Sequence, residues 1–291
     1  MLSLRETIKN SQQRRRAIGH FNVADFSMLV GIARVAKKMD VPVIIGVSEG
    51  ERDFWGLTQI RALVDAFKKD GVEMFLNADH THSIERVEQA VDAGFDAILF
   101  DAGKEDLAQN IAHTRRAVEI VRQYNYKNGT DILVEGELGY IGGGSVVLEQ
   151  IPQDADVKKD DLTSVADAKK FIEETGVDMI APAIGNLHGM FAHNKNPDID
   201  IVRVEEIVKE THVPVVLHGG SGIAPSQIQE AVRAGVSIVH ISTELRVAWK
   251  QGLDMAILSK PKEIVPYKLL PEIIHNVERV VEEKLKLLNN F

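Results

Sequence analysis

An eightfold alternation restricts the fold of this chain more than any other feature. Short apolar runs without polar spacing, at 17–22, 41–48, 73–79, 95–101, 131–137, 177–185, 213–220 and 236–242, are separated by longer amphipathic stretches. Unbroken apolar runs of this length read as strands buried on both faces, the signature of a parallel sheet. Between them, SMLVGIARVAKKM, TQIRALVDAFKKD, SIERVEQAVDAG and PSQIQEAVRAG carry helical periodicity, and several close on a glycine suited to a helix C-terminus. Eight strand–helix units favour closure into a barrel over an open doubly wound sheet. After Thr243 the pattern is wholly helical and ends in NVERVVEEKLKLLNNF. The expected architecture is therefore an α/β, (β/α)8 TIM barrel with extra C-terminal helices, forming one domain over residues 1–291.

Charge and composition narrow the function. The net charge of -9 argues against a broad nucleic-acid or anionic-membrane surface, both of which need clustered Lys and Arg, so neither partner is expected. With no cysteine in the chain, disulfides and thiolate metal sites are excluded, and any metal centre must be built from histidine and carboxylate. No stretch of about 18 apolar residues is present, which makes a soluble, cytoplasmic protein the expectation.

In a barrel of this kind the chemistry gathers at the C-terminal ends of the strands. Those ends carry Asn22, Asp79, His80, Asp101, Glu135, Glu137, His188 and His218. Three histidines on three separate strand ends, His80, His188 and His218, can converge on one ion and leave coordination positions open, as a catalytic rather than a structural site requires. A single histidine at any of these positions would more often be an ordinary buried polar residue; three at equivalent heights are not so explained. His193 and His240 also fall on the functional face, and His82 lies beside the metal candidates. His113, His212 and His275 fall in helices or bottom-face turns. The segment HGGSG, 218–222, runs into a helix, and glycine-rich backbone at a helix N-terminus presents free N–H groups to phosphate. Together with STE at 242–244 it forms a candidate phosphate site of the kind common after the seventh and eighth strands. The glycine-rich GELGYIGGG, 136–144, and the polar stretch after it read as a lid or as a plain surface loop.

At this point the chain resembles the class II, metal-dependent ketose-bisphosphate aldolases that act on fructose or tagatose 1,6-bisphosphate. The blocks that carry the resemblance are NADH (the family's usual HLDH), VEGELG, GNLHG, VLHGGSG and ISTEL, spread over nearly the whole chain. The resemblance implies Zn2+, or another divalent metal, on His80, His188 and His218 with Glu137 nearby, and a monovalent cation as a further candidate. It implies that Asp79 handles the proton of the aldehyde oxygen. It further implies that Gly189, Gly220, Ser221, Ser242 and Thr243 hold the ketose 1-phosphate, with Asn22 and His240 beside the substrate and Lys195 reaching the phosphate from the loop after the sixth strand. The implied reaction is reversible aldol cleavage to dihydroxyacetone phosphate and an aldehyde, in a homodimer or homotetramer. The chain departs from the pattern at three places. Gly144 and Ser145 stand where the family's lid glutamate is expected, which makes Glu149 the candidate replacement. His240 stands for an asparagine, and Asn77 for the first histidine of the HLDH block. These departures leave two alternatives open: a relative acting on another phosphorylated ketose, and a non-catalytic sugar-phosphate-binding protein.

Overall fold

The computed structural model describes residues 2–142, 144, 146–148, 162–191 and 196–290. Its strands are β1 (Ile18–Asn22), β2 (Val43–Val47), β3 (Met74–Thr81), β4 (Ala97–Phe100), β5 (Leu133–Leu138), β6 (Val147–Leu148), β7 (Met179–Pro182), β8 (Met190–Phe191), β9 (Val215–Leu217) and β10 (Val236–Ile241). Eight of them close into a parallel barrel in the order β1-β10-β9-β7-β5-β4-β3-β2, while β6 and β8 pair separately. The helices are α1 (Leu4–Gln13), α2 (Phe26–Met39), α3 (Glu49–Trp55), α4 (Leu57–Lys69), α5 (Ile84–Asp92), α6 (Leu107–Asn128), α7 (Val165–Thr175), α8 (Ile201–Thr211), α9 (Pro225–Ala234), α10 (Thr243–Ser259) and α11 (Pro266–Asn289). The α/β TIM barrel with additional C-terminal helices expected from the alternation is the fold observed.

Local signals explain where helices start. Asp25, Ser83, Asp106, Ser164 and Asp200 each precede a helix and accept the backbone N–H three residues on, satisfying one of the donors that a helix start leaves free. Among the described residues no helix is long and apolar enough to cross a membrane.

Strand parity then decides what fills the barrel. Successive side chains point to opposite faces of a strand, so residues two apart share a face. One interior layer is apolar: Ile18, Ile44, Phe75, Ala97, Leu133, Met179, Val216 and Ile238, plugged from below by Leu4 and Ile8 of α1. Two residues further along these strands the interior turns polar, with His20, Asn77, Glu135, His218 and His240, all buried. Two residues further again stand Asn22, Asp79, Glu137 and Ser242 at the mouth. Outward-facing Val43, Ile45, Val47 and Leu76 pack under the helical ring with Ile32, Ile60 and Val87. The apolar floor supplies rigidity, and the two polar layers above it are set by the same register.

Candidate metal centre and active site

β3 solves a geometric problem. Asp79 and His80 are consecutive and should face opposite ways, yet both line the same cavity. The register of β3 against β4 shifts between Ala78 and Thr81, and His80 has φ +42°, in the left-handed region. A one-residue irregularity of this sort re-aims a side chain at the cost of local strain. His188 lies beyond β7 in a loop shaped by Asn186, which accepts the Ile184 N–H at 2.9 Å and donates to the His218 carbonyl at 3.0 Å. The two loops press together at Gly219, where a Cβ would come within 2.2 Å of the Leu187 carbonyl oxygen and φ is +63°. Only glycine fits such an approach.

The result is a cluster in which one atom each of His80, Glu137, His188 and His218 lies within 4.8 Å of the others. Each imidazole is held from behind. His80 Nδ1 is 2.7 Å from an Asp101 oxygen, His188 Nδ1 is 3.3 Å from the Gly142 carbonyl, and His218 Nε2 is 2.8 Å from Glu135. His188 Nε2 and His218 Nδ1 face each other at 3.3 Å. Glu137 Oε2, 3.6 Å from His218 Nδ1, is buried without a hydrogen-bond partner, which is exceptional for a carboxylate oxygen. The donor set therefore fits a divalent ion, with carboxylate and carbonyl partners orienting the rings from outside.

Electrostatics agree with the geometry. Burial, with the neighbouring charge of His80, pushes His188 and His218 down to about 3, keeping their lone pairs free. Burial opposes charge on His80, but Asp79, Asp101 and Glu137 outweigh it and lift the ring to about 10. Glu135 is pushed up to about 8 by burial, and Glu137 is raised well above its ordinary value by burial and by Asp101. Burial would likewise raise Asp79, yet the charges of His80, His20 and His218 and the Asn22 hydrogen bond hold it below the usual carboxylate range. Without a cation, burial keeps Glu135 and Glu137 in their protonated forms, and a divalent ion bound among the imidazoles would favour the ionised form of Glu137.

The remaining residues singled out in the sequence sort by position. Asn22 donates to Asp79 at 2.7 Å and to Glu51 at 3.2 Å. Ser221, His240, Ser242 and Thr243 line the cavity with Asp79, His80 and His188. Ser221 Oγ accepts from the backbone N–H groups of Ser242 and Glu244, and Ser242 Oγ is buried with no partner. Gly220 is placed differently from the expectation: its N–H donates to the His240 carbonyl at 2.9 Å, and Gly219 takes its place on the cavity wall. Gly189 does not line this cavity; its φ of +98° fits it against Val146. Ser145, Glu149, His193 and Lys195 lie outside the described residues. Two residues at the site carry no motif in the sequence: His20, stacked on His240, and Glu51, which accepts from Asn22 and from Arg246 at 2.9 Å. His20 was hidden inside an apolar run; its signal was a histidine two positions before Asn22, on the same strand face.

The family model for class II fructose-bisphosphate aldolases matches residues 2–291. The chain belongs to this family. It is an aldolase, a carbon–carbon lyase of a generally metal-dependent class. A fructose-bisphosphate aldolase of Staphylococcus aureus is 29% identical over 293 residues, spanning 98% of this chain and 96% of the relative. A 6-phospho-5-dehydro-2-deoxy-D-gluconate aldolase of Bacillus licheniformis is 30% identical over 289 residues, spanning 98% and 94%. Among solved structures, the YdjI aldolase of Escherichia coli K12 superposes with a TM-score of 0.78 at 27% identity, covering 99% of this chain and 96% of that one. Family and fold are thus common to relatives whose substrates differ.

Proposed function

We propose that this aldolase reversibly cleaves a ketose 1,6-bisphosphate of the fructose or tagatose type to dihydroxyacetone phosphate and an aldehyde, with a divalent ion, zinc foremost, held by His80, His188, His218 and Glu137. The observation that carries the reading is the convergence of His80, His188, His218 and Glu137 within 4.8 Å, with the Glu137 Oε2 buried and unpartnered. A divalent ion there would polarise a substrate carbonyl. Asp79, held ionised, is suited to take the proton of the C4 hydroxyl as the C3–C4 bond breaks, and to return it in the condensation direction. The hydroxyls of Ser221 and Ser242 and the N-terminus of α10 at Thr243 are suited to the 1-phosphate. Lys104, Arg246 and Ser48 line an adjoining cavity of about 260 Å³, and two cations there favour a substrate with a second anionic group. The S. aureus relative, named for fructose bisphosphate, supports the same substrate class.

A second reading, a deoxy or otherwise altered ketose phosphate, is favoured by the imidazole of His240 on the cavity wall and by the B. licheniformis relative. Metal-loaded protein offered fructose and tagatose 1,6-bisphosphate, with coupled detection of triose phosphate, separates the two. Cleavage that falls by about 10³-fold or more on chelation is expected. Bound metal with neither bisphosphate cleaved would sink the first reading and leave the second. Glu149 is the proposed proton carrier at C3 of the three-carbon product. Glu149→Gln should therefore slow solvent-hydrogen exchange at that carbon by about 10²-fold or more, whereas unchanged exchange would assign the role elsewhere.

A further inference from the structure

Beside the proposed metal site lies a stack of rings that the reaction as described does not use. His20 of β1 and His240 of β10 are register partners, and their rings lie face to face with centroids 3.4 Å apart and planes 2° from parallel. The other face of His240 rests on His218, at 4.0 Å and 24°. Asn77 of β3 fixes the outer end of the column, its Nδ2 lying 3.0 Å from His20 Nε2. β2 leaves the slot open: a Cβ at Gly46 would come 2.1 Å from His20 Cε1. All three polar residues are at most 5% exposed, and each keeps one buried atom without a partner: His20 Nδ1, Asn77 Oδ1 and His240 Nε2. Aliphatic side chains would fill this layer without that cost, so ordinary core packing does not account for it. Nor does a second ion, because rings stacked in parallel planes aim their lone pairs side by side rather than at a common point.

We propose that His20 and Asn77 are positioning residues for His240. Asn77 fixes the rotation of the His20 ring, and His20 supports the His240 ring on the face opposite His218. His240 is thereby held as the cavity wall between Asp79, 3.5 Å from its Nδ1, and the proposed metal ligand His218. The assignment rests on the aldolase site described above for what that wall faces. It also joins the two departures from the family blocks, at 77 and 240, into one unit: both side chains meet His20, and exchanging them conserves the contents of the layer.

The test is a double-mutant cycle. Asn77→His adds a third ring to a slot built for two, and His240→Asn removes the ring that His20 supports. Each single variant is expected to lower kcat by about tenfold with KM little changed, and the combined exchange to recover most of that loss, a coupling of about tenfold. Additive losses, or losses confined to KM or to the melting midpoint, would overturn the proposal. Should Asn77→His fail to fold, His20→Gln decides. It keeps a partner for Asn77 but removes the flat support, so kcat should fall about tenfold with KM and metal content unchanged; an unchanged kcat overturns it. If the parent protein cleaves no ketose phosphate, the substrate reading has failed on its own, and the His240 ring proton resonances decide here. Their displacement in His20→Gln retains the unit, and their constancy rejects it.

Discussion

His80→Gly and His80→Ala should both lose turnover by about 10³-fold or more, since either leaves two imidazoles where the proposed ion has three. The two variants should nonetheless differ in stability, with the glycine variant the more stable by about 1 kcal/mol. The reason is the backbone. His80 sits at φ +42°, where an L side chain clashes with its own carbonyl and glycine does not. Both variants lose the same Asp101 contact and the same proposed metal bond, so the difference between them isolates the strain. Denaturant unfolding of the metal-free proteins measures it, and metal content with the coupled cleavage assay measures the rest. Equal stabilities would mean that the left-handed turn carries no strain. Turnover within tenfold of the parent in the alanine variant would remove His80 from the ligand set. The comparison also explains why a non-glycine residue stands there at all: without the kink, Asp79 and His80 could not both face the cavity.

Much of this arrangement was legible in the sequence, for identifiable reasons. Apolar runs of strand length alternating with helical periodicity define the barrel, and strand-end position sets aside His113, His212 and His275, leaving the proposed ligands His80, His188 and His218 beside His82, His193 and His240. Side-chain parity along β5 places Glu135 and Glu137 on one face without any structure. What stayed hidden depends on register and on partners remote in the chain. The approach of His188 Nε2 to His218 Nδ1 depends on the partners that orient both rings, Gly142 and Glu135, and no local pattern encodes those. His20 reads as one polar residue in a buried strand until the β1–β10 register sets it beside His240. Gly220 reads as a phosphate contact until its N–H is seen to be taken by the His240 carbonyl, a consequence of how closely the loop after β9 crosses β10. Lys284 is buried against Glu244, 40 residues away in the chain, a pairing that no local pattern signals.

Lys284→Met is expected to destabilise the fold by about 3–5 kcal/mol, the cost of breaking a buried ion pair on one side. Lys284 on α11 reaches Glu244 in the first turn of α10, with its Nζ 2.8 Å from each carboxylate oxygen and side-chain exposures of 5% and 16%. Glu244 in turn accepts the Gly222 N–H at 2.7 Å. Methionine keeps much of the stem but leaves the carboxylate buried with that one donor. For a domain of this size the melting midpoint should fall by roughly 10 °C. The chain of contacts runs from the C-terminal helix through Glu244 into the loop that carries Ser221, so the variant should also raise KM for a phosphorylated substrate. Adding Glu244→Gln removes the stranded charge while keeping an acceptor for Gly222, and the double variant should regain most of the lost stability. Lys286, two residues on, pairs with Glu282 at the exposed surface, where solvent screens the attraction; Lys286→Met should leave the melting midpoint unchanged. A Lys284→Met variant that melts with the Lys286→Met control would mean that the pair is replaceable and that α11 covers the barrel by apolar packing alone. A midpoint that falls while KM holds would separate the two roles, leaving Lys284 as a support of the fold and the loop that carries Ser221 as self-sufficient.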